Sequence, residues 1–550
     1  MIRRRHLLAA SALPLLGCEP APAITGGFTG ISVARGHALR DLDTPPAPRA
    51  TRRTQVVIAG AGVAGLAAAR ALRLRGIEDF VLLELEDDAG GNARAGMMSG
   101  IACPQGAHYL PLPGADAHEV QDLLEEFGLR RRVAGRWQYD ELHLCHSPQE
   151  RLFFQGAWQE GLLPLAGVGA DTLAQYRRFA AQVDGLARAS RFCIPALRAP
   201  FTAQHAALDA QTADAWLRAQ GLTDAHLRWY LDYCCRDDYG AGLQRVSAWA
   251  CIHYFASRHG FRAPQASADA EDLGAPISAG AENDAVLTWP EGNAWLTRRL
   301  AAPLGERLRT GHSVLRIRTE RHGVAVDALR HADGCVVRWQ AAQCIVALPA
   351  FIAARVIEQP PAWLVDIARN LAYAPWLVAN LHLAAPLQDR PGAAPAWDNV
   401  VYGEPGGGLG YVDAHHQSLD PRPGPTVLSY YRTLGDLPGA RQQLLTQPWS
   451  HWRDAILAAL AAPHPDLAQR LTRMDITRYG HAMAIPQPGT LRRLRQLSAA
   501  SADARGSHGA PSAQAANVRS GRLHFAHADW SGYSIFEEAF TRGHAAGGAV

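Results

Sequence analysis

A strand, a glycine-rich turn and a helix follow one another near the N-terminus. Residues 56–59 form an apolar, β-branched run that is typical of a buried parallel strand, and Val63–Leu74 has helical periodicity. Between and within them lie three glycines, Gly60, Gly62 and Gly65. The first allows a tight turn, the second lets a backbone approach a pyrophosphate, and the third lets the helix pack closely on the strand. The N–H groups at the helix start would then face the phosphates, so we expect these glycines and Ala64 to bind a dinucleotide.

A second apolar strand, Phe80–Leu83, ends in Glu84. This is about the distance after the glycines at which an acidic residue accepts hydrogen bonds from the adenosine ribose hydroxyls. The glycine pattern alone is weak evidence, because alanine-rich sequences produce it by chance. Together with the strands, the helix and Glu84, it predicts an α/β domain of the Rossmann type.

The whole chain is long enough and apolar enough to bury a large core. It has 550 residues, 48% of them hydrophobic, so we expect two domains. Its 54 basic residues nearly match its 51 acidic ones, and this balance argues against nucleic-acid binding. The sequence contains no lysine, so these basic residues are all arginines, which cannot act as proton acceptors in proteins.

The first residues resemble an export signal. Basic residues precede an apolar run at 7–16, which is far shorter than the roughly 20 residues of a membrane-spanning helix. The Arg4-Arg5 pair resembles a twin-arginine signal, which exports proteins already folded around their cofactors. Residues 15–18 resemble a lipobox that would attach a lipid anchor to Cys18, whereas cleavage after Ala23 would release a soluble protein. We expect a periplasmic or membrane-anchored protein, with the lipoprotein favoured and with this division: signal peptide 1–17, linker 18–53.

The cysteines beyond Cys18 give no sign of a metal site. They are scattered except for the pair Cys234-Cys235, and no C-x-x-C spacing is present, so disulfides are not indicated. Residues 143–146, HLCH, include metal-ligating types but have no matching second half. We expect no bound metal.

Residues 84–111, "ELEDDAGGNARAGMMSGIACPQGAHYLP", resemble the flavin-dependent amine oxidase superfamily. This superfamily includes monoamine and polyamine oxidases and is related to phytoene desaturases and protoporphyrinogen oxidases. Its members place a Gly-Gly pair six residues after the ribose glutamate, where this chain has Gly90 and Gly91. Asn92 replaces the usual arginine, so Arg94 becomes the candidate for a positive charge near the pyrophosphate or flavin. The later residues Gly106, Ala107 and His108 are similar to a family segment beside the isoalloxazine ring.

Further segments resemble the same family in the same order. Residues 287–317 resemble the return to the cofactor domain, where a strand around Val314 lines the adenine, and residues 344–357 resemble the exit from it. At the C-terminus, "GRLHFAHADWSGYSIFEEAFTRGHAAGG" resembles the closing flavin motif. The resemblance implies that Asp529 binds the ribityl chain of the flavin.

The rest of this C-terminal motif is expected to form a strand and a helix. Gly543 matches a family helix glycine. The helix start near Gly532 would face the flavin N1 and O2 edge, where its dipole favours negative charge.

This order implies a discontinuous cofactor domain, with parts at 54–115, 285–350 and 518–550. The intervening stretches 116–284 and 351–499 would form an α+β substrate domain over the isoalloxazine. Residues 500–517, rich in Ala, Ser and Gly, are expected to form a loop. The resemblance implies FAD as the cofactor, held non-covalently, since no cysteine lies near the C-terminal motif.

The resemblance also implies oxidation of an amine C–N bond by hydride transfer to flavin N5. Tyr533 matches one wall of the aromatic cage that guides the amine in monoamine oxidases. His481 stands near the opposite wall and is the candidate base, with a core histidine bonded to a carbonyl as an equal alternative. Many members hold a water against N5 with a lysine, which this chain lacks, so the electron acceptor is either oxygen or another molecule.

Two segments between 233 and 255 offer further cavity candidates: Asp237, Asp238, Trp249 and Tyr254. Dense aromatic residues are usually core, and adjacent aspartates are usually a solvated turn or a cap, so the sequence favours a structural role for them.

Three functions stay open from the sequence. The first is oxidation of an amine, the second is desaturation of carbon–carbon bonds in a lipid or porphyrin, and the third is flavin binding without turnover. A short cavity with carboxylates would favour an amine, whereas a long apolar tunnel would favour a lipid or porphyrin.

Overall fold

The structure is a computed structural model, and it describes residues 23–42, 44–264, 285–404, 406–418, 422–503 and 518–550. The expected signal peptide and Cys18 lie outside these residues, as do positions 504–517 of the expected loop. No helix in the described ranges is both long enough and apolar enough to cross a membrane.

The helices of the described chain are α1 (Val33–Arg40), α2 (Val63–Leu74), α3 (His118–Glu126), α4 (Ala170–Ala189), α5 (Ala203–Asp209), α6 (Ala213–Ala219), α7 (Ala225–Tyr239), α8 (Ala248–Ala256), α9 (Ala294–Ala301), α10 (Ala350–Val356), α11 (Ala362–Asn370), α12 (Ala440–Thr446), α13 (Trp449–Leu460), α14 (Leu467–Arg470), α15 (Thr490–Asp503) and α16 (Phe536–Gly548).

The strands are β1 (Thr25–Thr29), β2 (Ala50–Ala59), β3 (Phe80–Leu83), β4 (Ala95–Met98), β5 (Ile101–Pro104), β6 (Tyr109–Pro111), β7 (Arg130–Val133), β8 (Arg136–Tyr139), β9 (Glu150–Phe154), β10 (Ala157–Glu160), β11 (Val286–Thr288), β12 (Leu308–Arg309), β13 (His312–Glu320), β14 (Gly323–Arg330), β15 (Cys335–Val346), β16 (Ala372–Leu383), β17 (Asp398–Val401), β18 (Gly408–Asp413), β19 (Thr426–Thr433), β20 (Leu471–Ile485), β21 (Val518–Ser520) and β22 (Leu523–Phe525).

The first sheet has the order β12-β3-β2-β15-β14-β13, and β22 pairs with the end of β15. The strands β12, β3, β2 and β15 run parallel, and the helix α2 follows β2 directly. The helix α16 packs against α2, and glycines make this contact close: a Cβ at Gly543 would lie 2.0 Å from the Ala64 carbonyl oxygen. The glycine turn and the C-terminal motif are therefore fixed to each other through two helices.

The second sheet has the order β1-β20-β16-β19-β18-β17-β9-β10. Its edge strand β1 pairs in parallel with β20, and Phe28 of β1 lies under the Arg478 guanidinium, 3.6 Å from the ring centroid. The expected linker 18–53 thus contains β1, α1 and the first residues of β2. The sequence hides β1 because two of its five residues are glycines.

The helices α10 and α11 lie with the first sheet. Their apolar side chains, Ala353, Val356, Leu364 and Ile367, share a core cluster with the antiparallel strands β13, β14 and β15. This packing differs from the expected division, which assigned residues from 351 onward to the substrate domain. After these two helices the chain returns to the second sheet at β16. At the other expected boundary, the helix α15 extends to Asp503 into the range expected to be a loop.

The second sheet and the helices α4 to α8 pack around a shared apolar core. One face of the second sheet contributes Trp376, Val378 and Tyr431 to this core, and α7 and α8 contribute Tyr239 and Trp249. The chain between β5 and β6 lies against this face, because the Tyr431 hydroxyl donates to the Gly106 carbonyl oxygen at 2.9 Å.

Candidate functional site

The glycine turn after β2 has one position that is open to a ligand. A Cβ at Gly60 would lie 2.4 Å from the Ala347 carbonyl oxygen, and one at Gly65 would lie 1.9 Å from the Gly60 carbonyl oxygen. These two glycines are therefore required by the packing of strand, turn and helix. A Cβ at Gly62 would instead meet only the Gly91 Cα, at 3.9 Å. Gly62 thus borders free space at the N-terminus of α2, and no side chain caps that end.

A second pair of glycines lies directly beside Gly62. Gly90 and Gly91 have φ values of 125° and 59°, which side chains rarely adopt. Gly90 forms a bridge with Gly62, and its N–H donates to the Ala61 carbonyl oxygen at 2.8 Å. We call the open space bordered by Gly62, Gly90 and Gly91 the glycine groove. Free backbone N–H groups at a helix N-terminus beside two side-chain-free loops fit a pyrophosphate.

Glu84 lies at one end of the glycine groove with its carboxylate already oriented. Its Oε2 accepts a hydrogen bond from the Ala61 N–H at 2.8 Å, and its Oε1 accepts one from the Glu86 N–H at 3.0 Å. Burial raises the pKa of Glu84, and these two N–H groups oppose that rise. The strand β13 begins alongside, because the His312 N–H donates to the Glu84 carbonyl oxygen at 2.7 Å. The Val314 side chain is buried in the core of the first sheet.

The two polar candidates after Gly91 point in different directions. The Asn92 amide lines a cavity and donates to the Ala482 carbonyl oxygen at 2.6 Å. The Arg94 side chain is buried, donates to the Gly91 carbonyl oxygen at 3.2 Å and lies 3.8 Å from the Glu86 carboxylate. Arg94 thus holds the second glycine loop in place from behind.

The cavity has about 880 Å³ of empty space, including its open mouth, and lies between one face of the second sheet and the chain around β6, next to the end of α7 and the start of α16. The predicted residues Asn92, Gly106, Ala107 and His108 are on its wall. The walls are mostly apolar or aromatic, with contributions from Tyr109, Trp376, Val378, Tyr431, Tyr479, Met483, Ile535 and Phe536.

His108 is part of this wall and is neutral. Its ring stacks on Tyr431 with centroids 4.2 Å apart. Burial lowers the pKa of His108 to about 3.

Charged residues collect at one end of the cavity, which we call the carboxylate end: Asp237, Asp238, Arg258 and Glu537. Asp238 and Arg258 form a buried ion pair with an Nη2–Oδ2 distance of 2.9 Å. Neither Asp237 nor Glu537 forms an ion pair with a described residue, although the Arg258 charge acts on both. The Tyr109 hydroxyl donates to Asp237 Oδ2 at 3.1 Å.

Both unpaired carboxyl groups have raised pKa values. Burial, reinforced by the neighbouring Asp238 charge, raises the pKa of Asp237 to about 7. Burial also raises the pKa of Glu537 to about 7. Ionising them in this apolar setting costs free energy, which a bound cation would recover.

The sequence disfavoured Asp237 and Asp238 as site residues, and the structure contradicts that interpretation. Both lie in the last turn of α7, where Asp238 is buried and Asp237 faces the cavity. Adjacent aspartates usually lie in solvated turns, so local pattern gave no sign of this placement. Trp249 is packed in the core, as expected. The sequence also missed Glu537, although its place in the first turn of α16 beside the C-terminal motif was a usable signal.

Tyr533, expected to form a cage wall, is not among the residues that line the cavity. Its ring is fully buried against Tyr239 and His253, and its hydroxyl donates to Glu538 Oε1 at 2.6 Å. The preceding Gly532 ends a short turn with φ 85°, and α16 begins only at Phe536. Residues 534–537, which follow Tyr533, line the cavity instead of Tyr533.

His481, the candidate base, also lies away from the cavity. Its ring lies against Phe351, with centroids 4.4 Å apart, and the side chain is exposed on its other side. Between Tyr479 and Met483, four steps of β20 oppose two steps of β16, from Trp376 to Ala374. This bulge explains why Tyr479 and Met483 line the cavity while His481 does not.

Asp529 is buried and has one oxygen in use. Its Oδ2 accepts from the Tyr373 hydroxyl at 2.6 Å and from the Ala350 N–H at 2.8 Å. Burial alone would raise the pKa of Asp529, but His527 and the Tyr373 hydroxyl hold it below its usual value. The other oxygen, Oδ1, lies 3.1 Å from His527 Nδ1. A carboxylate oxygen has two acceptor positions, so Oδ1 could also accept a hydrogen bond from a ligand hydroxyl.

These features suit a flavin dinucleotide. The glycine groove offers a cradle that a side chain would fill, and Asp529 is a buried carboxylate whose Oδ1 has His527 Nδ1 as its neighbour at 3.1 Å and retains capacity to accept from a ligand. The fold and the site thus define a flavin-dependent oxidoreductase with a Rossmann-type domain.

Residues 63–547 match the family described as flavin containing amine oxidoreductase, and the chain belongs to this family. A Mycobacterium tuberculosis protein described as a flavin-containing monoamine oxidase is 28% identical over 307 residues, which are 56% of this chain and 59% of that protein. The chain thus spans less than two thirds of the length of this curated relative. The family and the fold class predicted from the sequence are confirmed.

Solved structures share the fold. Putrescine oxidase bound to putrescine superposes with a TM-score of 0.64 at 17% identity, covering 91% of this chain and 99% of that one. Cyclohexylamine oxidase from Brevibacterium oxydans superposes with a TM-score of 0.61 at 18% identity, covering 90% and 98%. At these identities the likeness establishes the fold alone.

Proposed function

We propose that this protein binds FAD non-covalently and oxidises a C–N bond of a small amine that carries two positive charges. The observation that carries the proposal is the surplus of carboxylates in the cavity. Asp238 is paired with Arg258, whereas Asp237 and Glu537 face the same space without a cation. Buried carboxylates are stable when paired with a cation, so two of them favour a substrate with two ammonium groups.

FAD would be held by the two glycine pairs, Glu84 and Asp529. Bound there, it would supply the acceptor for the hydride that leaves the carbon beside the substrate nitrogen. The cavity residues bind and orient the substrate: Asp237 accepts hydrogen bonds from an ammonium group, and the Tyr109 hydroxyl keeps the Asp237 carboxylate directed. The aromatic walls exclude water from the reacting carbon.

The alternative is oxidation of carbon–carbon bonds in a lipid or a porphyrin. Such substrates carry carboxylates of their own, which Asp237 and Glu537 would repel. They also need a long apolar tunnel, whereas this cavity ends in charged side chains. The site supports an amine over these substrates.

The test is an anaerobic titration of the purified yellow protein with 1,4-diaminobutane and with 1-aminobutane. The two amines share the reacting carbon and the chain length and differ only in the second charge. We expect the diamine to bleach the flavin absorbance at concentrations at least tenfold lower. If neither amine bleaches the flavin, the amine assignment is wrong.

Export and the lipid anchor at Cys18 remain proposals, supported by the sequence of the first residues. Mass spectrometry of the protein from a membrane fraction would show a lipidated N-terminal Cys18. An N-terminus at Ile24 would support the soluble form instead.

A further inference from the structure

A two-stranded hairpin, β7 and β8, projects from the protein beside α3. Its strands are joined by the two-residue turn Ala134-Gly135, with φ values of 48° and 81°. Positive φ at both central positions is the turn that best matches the twist of paired strands. Each residue from 131 to 138 is exposed. The hairpin is therefore well formed but buries little of its own surface.

The surface of the hairpin combines arginines with large apolar side chains. Trp137 is 45% exposed and Val133 is 37% exposed, and Leu142, just beyond the hairpin, is 63% exposed. These are three of the most exposed large apolar residues among the described residues. Trp137 pairs with Arg132 and Val133 pairs with Arg136 across the hairpin, so the two apolar side chains lie on opposite faces. Each face of the hairpin thus carries one exposed apolar side chain beside an arginine, and we call Val133, Trp137 and Leu142 the apolar group of the hairpin.

Three arginines surround this apolar group without acidic partners. No ion pair among the described residues involves Arg131, Arg132 or Arg136. Arg130, at the base of the hairpin, is the exception, because it pairs with Glu125 at 3.2 Å. Its guanidinium also lies 3.8 Å from the centroid of the Trp137 ring and thereby supports the indole.

We propose that this hairpin docks the protein on an anionic phospholipid surface. Indole rings and short apolar side chains between arginines are the combination that partitions into the headgroup region of a bilayer. The three unpaired guanidinium groups complement phosphate and phosphatidylglycerol headgroups. The hairpin would act as a second membrane contact beside any lipid at Cys18.

The test uses full-length protein with Cys18→Ala, so that no acyl chain contributes. Its binding to sedimented vesicles of phosphatidylcholine is compared with binding to vesicles of equal parts phosphatidylcholine and phosphatidylglycerol. One arginine near an anionic surface contributes about 1 kcal/mol, or roughly fivefold in affinity. The double variant Arg131→Gln/Arg136→Gln is therefore expected to bind the anionic vesicles about 25-fold more weakly.

The matched control is Arg321→Gln/Arg369→Gln, which removes the same charge from two other exposed positions. It should bind as tightly as the parent, and Trp137→Ser should weaken binding even at high salt. Equal losses in the two double variants would show that net charge alone governs binding and would overturn the proposal. Equal binding to both vesicle types, or none to either, would also overturn it. Flavin content of each variant reports that the fold is intact.

Discussion

The glycine groove and the carboxylate end of the cavity are built in opposite ways. The groove comes from short, contiguous segments, in which a strand, a turn and a helix place Gly62 opposite Gly91. The carboxylate end is assembled from distant segments, with Asp237 on α7 and Glu537 on α16. Because the glycines of the groove have no side chains, the phosphates of a ligand can approach the protein backbone there.

The carboxylate end works by carrying charge where burial makes charge costly. Burial raises the pKa of both Asp237 and Glu537 to about 7. Buried groups with such strongly shifted pKa values are concentrated at functional sites. The groove suits an adenine dinucleotide, whereas the carboxylate end is the part of the cavity that we propose selects the substrate.

The largest expected effect comes from blocking the groove. Gly62 has φ −70° and ψ −176°, an extended conformation that valine adopts without strain. Gly62→Val should therefore fold but fill the space for the pyrophosphate, and the purified protein should be colourless. The measurement is flavin absorbance per protein. Gly27→Val, at another glycine whose Cβ would meet nothing, is the control and should stay yellow. A yellow Gly62→Val would refute the groove.

The next effect separates the carboxylate end from the groove. Asp237→Asn keeps the shape and removes one charge, so it should retain FAD. Losing one partner of a buried ion pair costs about 2 to 3 kcal/mol, so kcat/KM for 1,4-diaminobutane should fall about 30-fold to 150-fold. For 1-aminobutane the change should stay within about threefold, because that substrate lacks the second charge. Equal losses with both amines would remove the basis for the assignment.

Kinetic measurements at a series of pH values test the same role of Asp237. Asp238 and Asp398 favour the protonated form of Asp237, whereas Arg258 and Arg236 favour its ionised form, as does the hydrogen bond that the Tyr109 hydroxyl donates to it. A cation binds the ionised carboxylate, so diamine binding should weaken as the pH falls through about 7. Well below that pH, protonation of this one carboxylate should weaken diamine binding about tenfold per pH unit.

The readout for this series is the ratio of KM values for 1,4-diaminobutane and 1-aminobutane, in which titration of the shared amine cancels. Asp237→Asn should flatten the ratio. A ratio that does not change with pH in the parent protein would mean that Asp237 does not bind the second charge.

The elements around the groove were predictable because they are local. The strand Phe80–Leu83 and the helix Val63–Leu74 have the predicted bounds, since uninterrupted β-branched and alanine-rich runs report their own structure. The strand β1 was not predicted, because its pairing partner β20 is more than 440 residues away in sequence. Pairing over that distance leaves no local pattern.

The cavity was predictable only in part for the same reason. Asn92 and His108, which the sequence predicts to bind the cofactor, lie on its wall, and both follow the second glycine pair in the chain. The roles of Tyr533 and His481 were predicted from the family motif, which gives their positions in the sequence but not the backbone conformation around them. A left-handed glycine before one and a strand bulge beside the other change which way each side chain points. Asp237 could be predicted only from the tertiary structure, because the sequence does not show that the end of α7 lines the cavity.

The smallest expected effects on catalysis therefore belong to the two residues that the sequence favoured most. Tyr533→Phe should leave kcat/KM within about threefold but lower thermal stability, because Glu538 would lose a buried donor at a cost of about 1 to 3 kcal/mol. His481→Ala should change neither activity nor its pH profile, since His481 is exposed and lies against Phe351. Steady-state kinetics and thermal unfolding of both variants make the check. A large loss of kcat in either, with FAD retained and stability unchanged, would move the reacting centre from the cavity wall at 534–537 to the face that carries that residue.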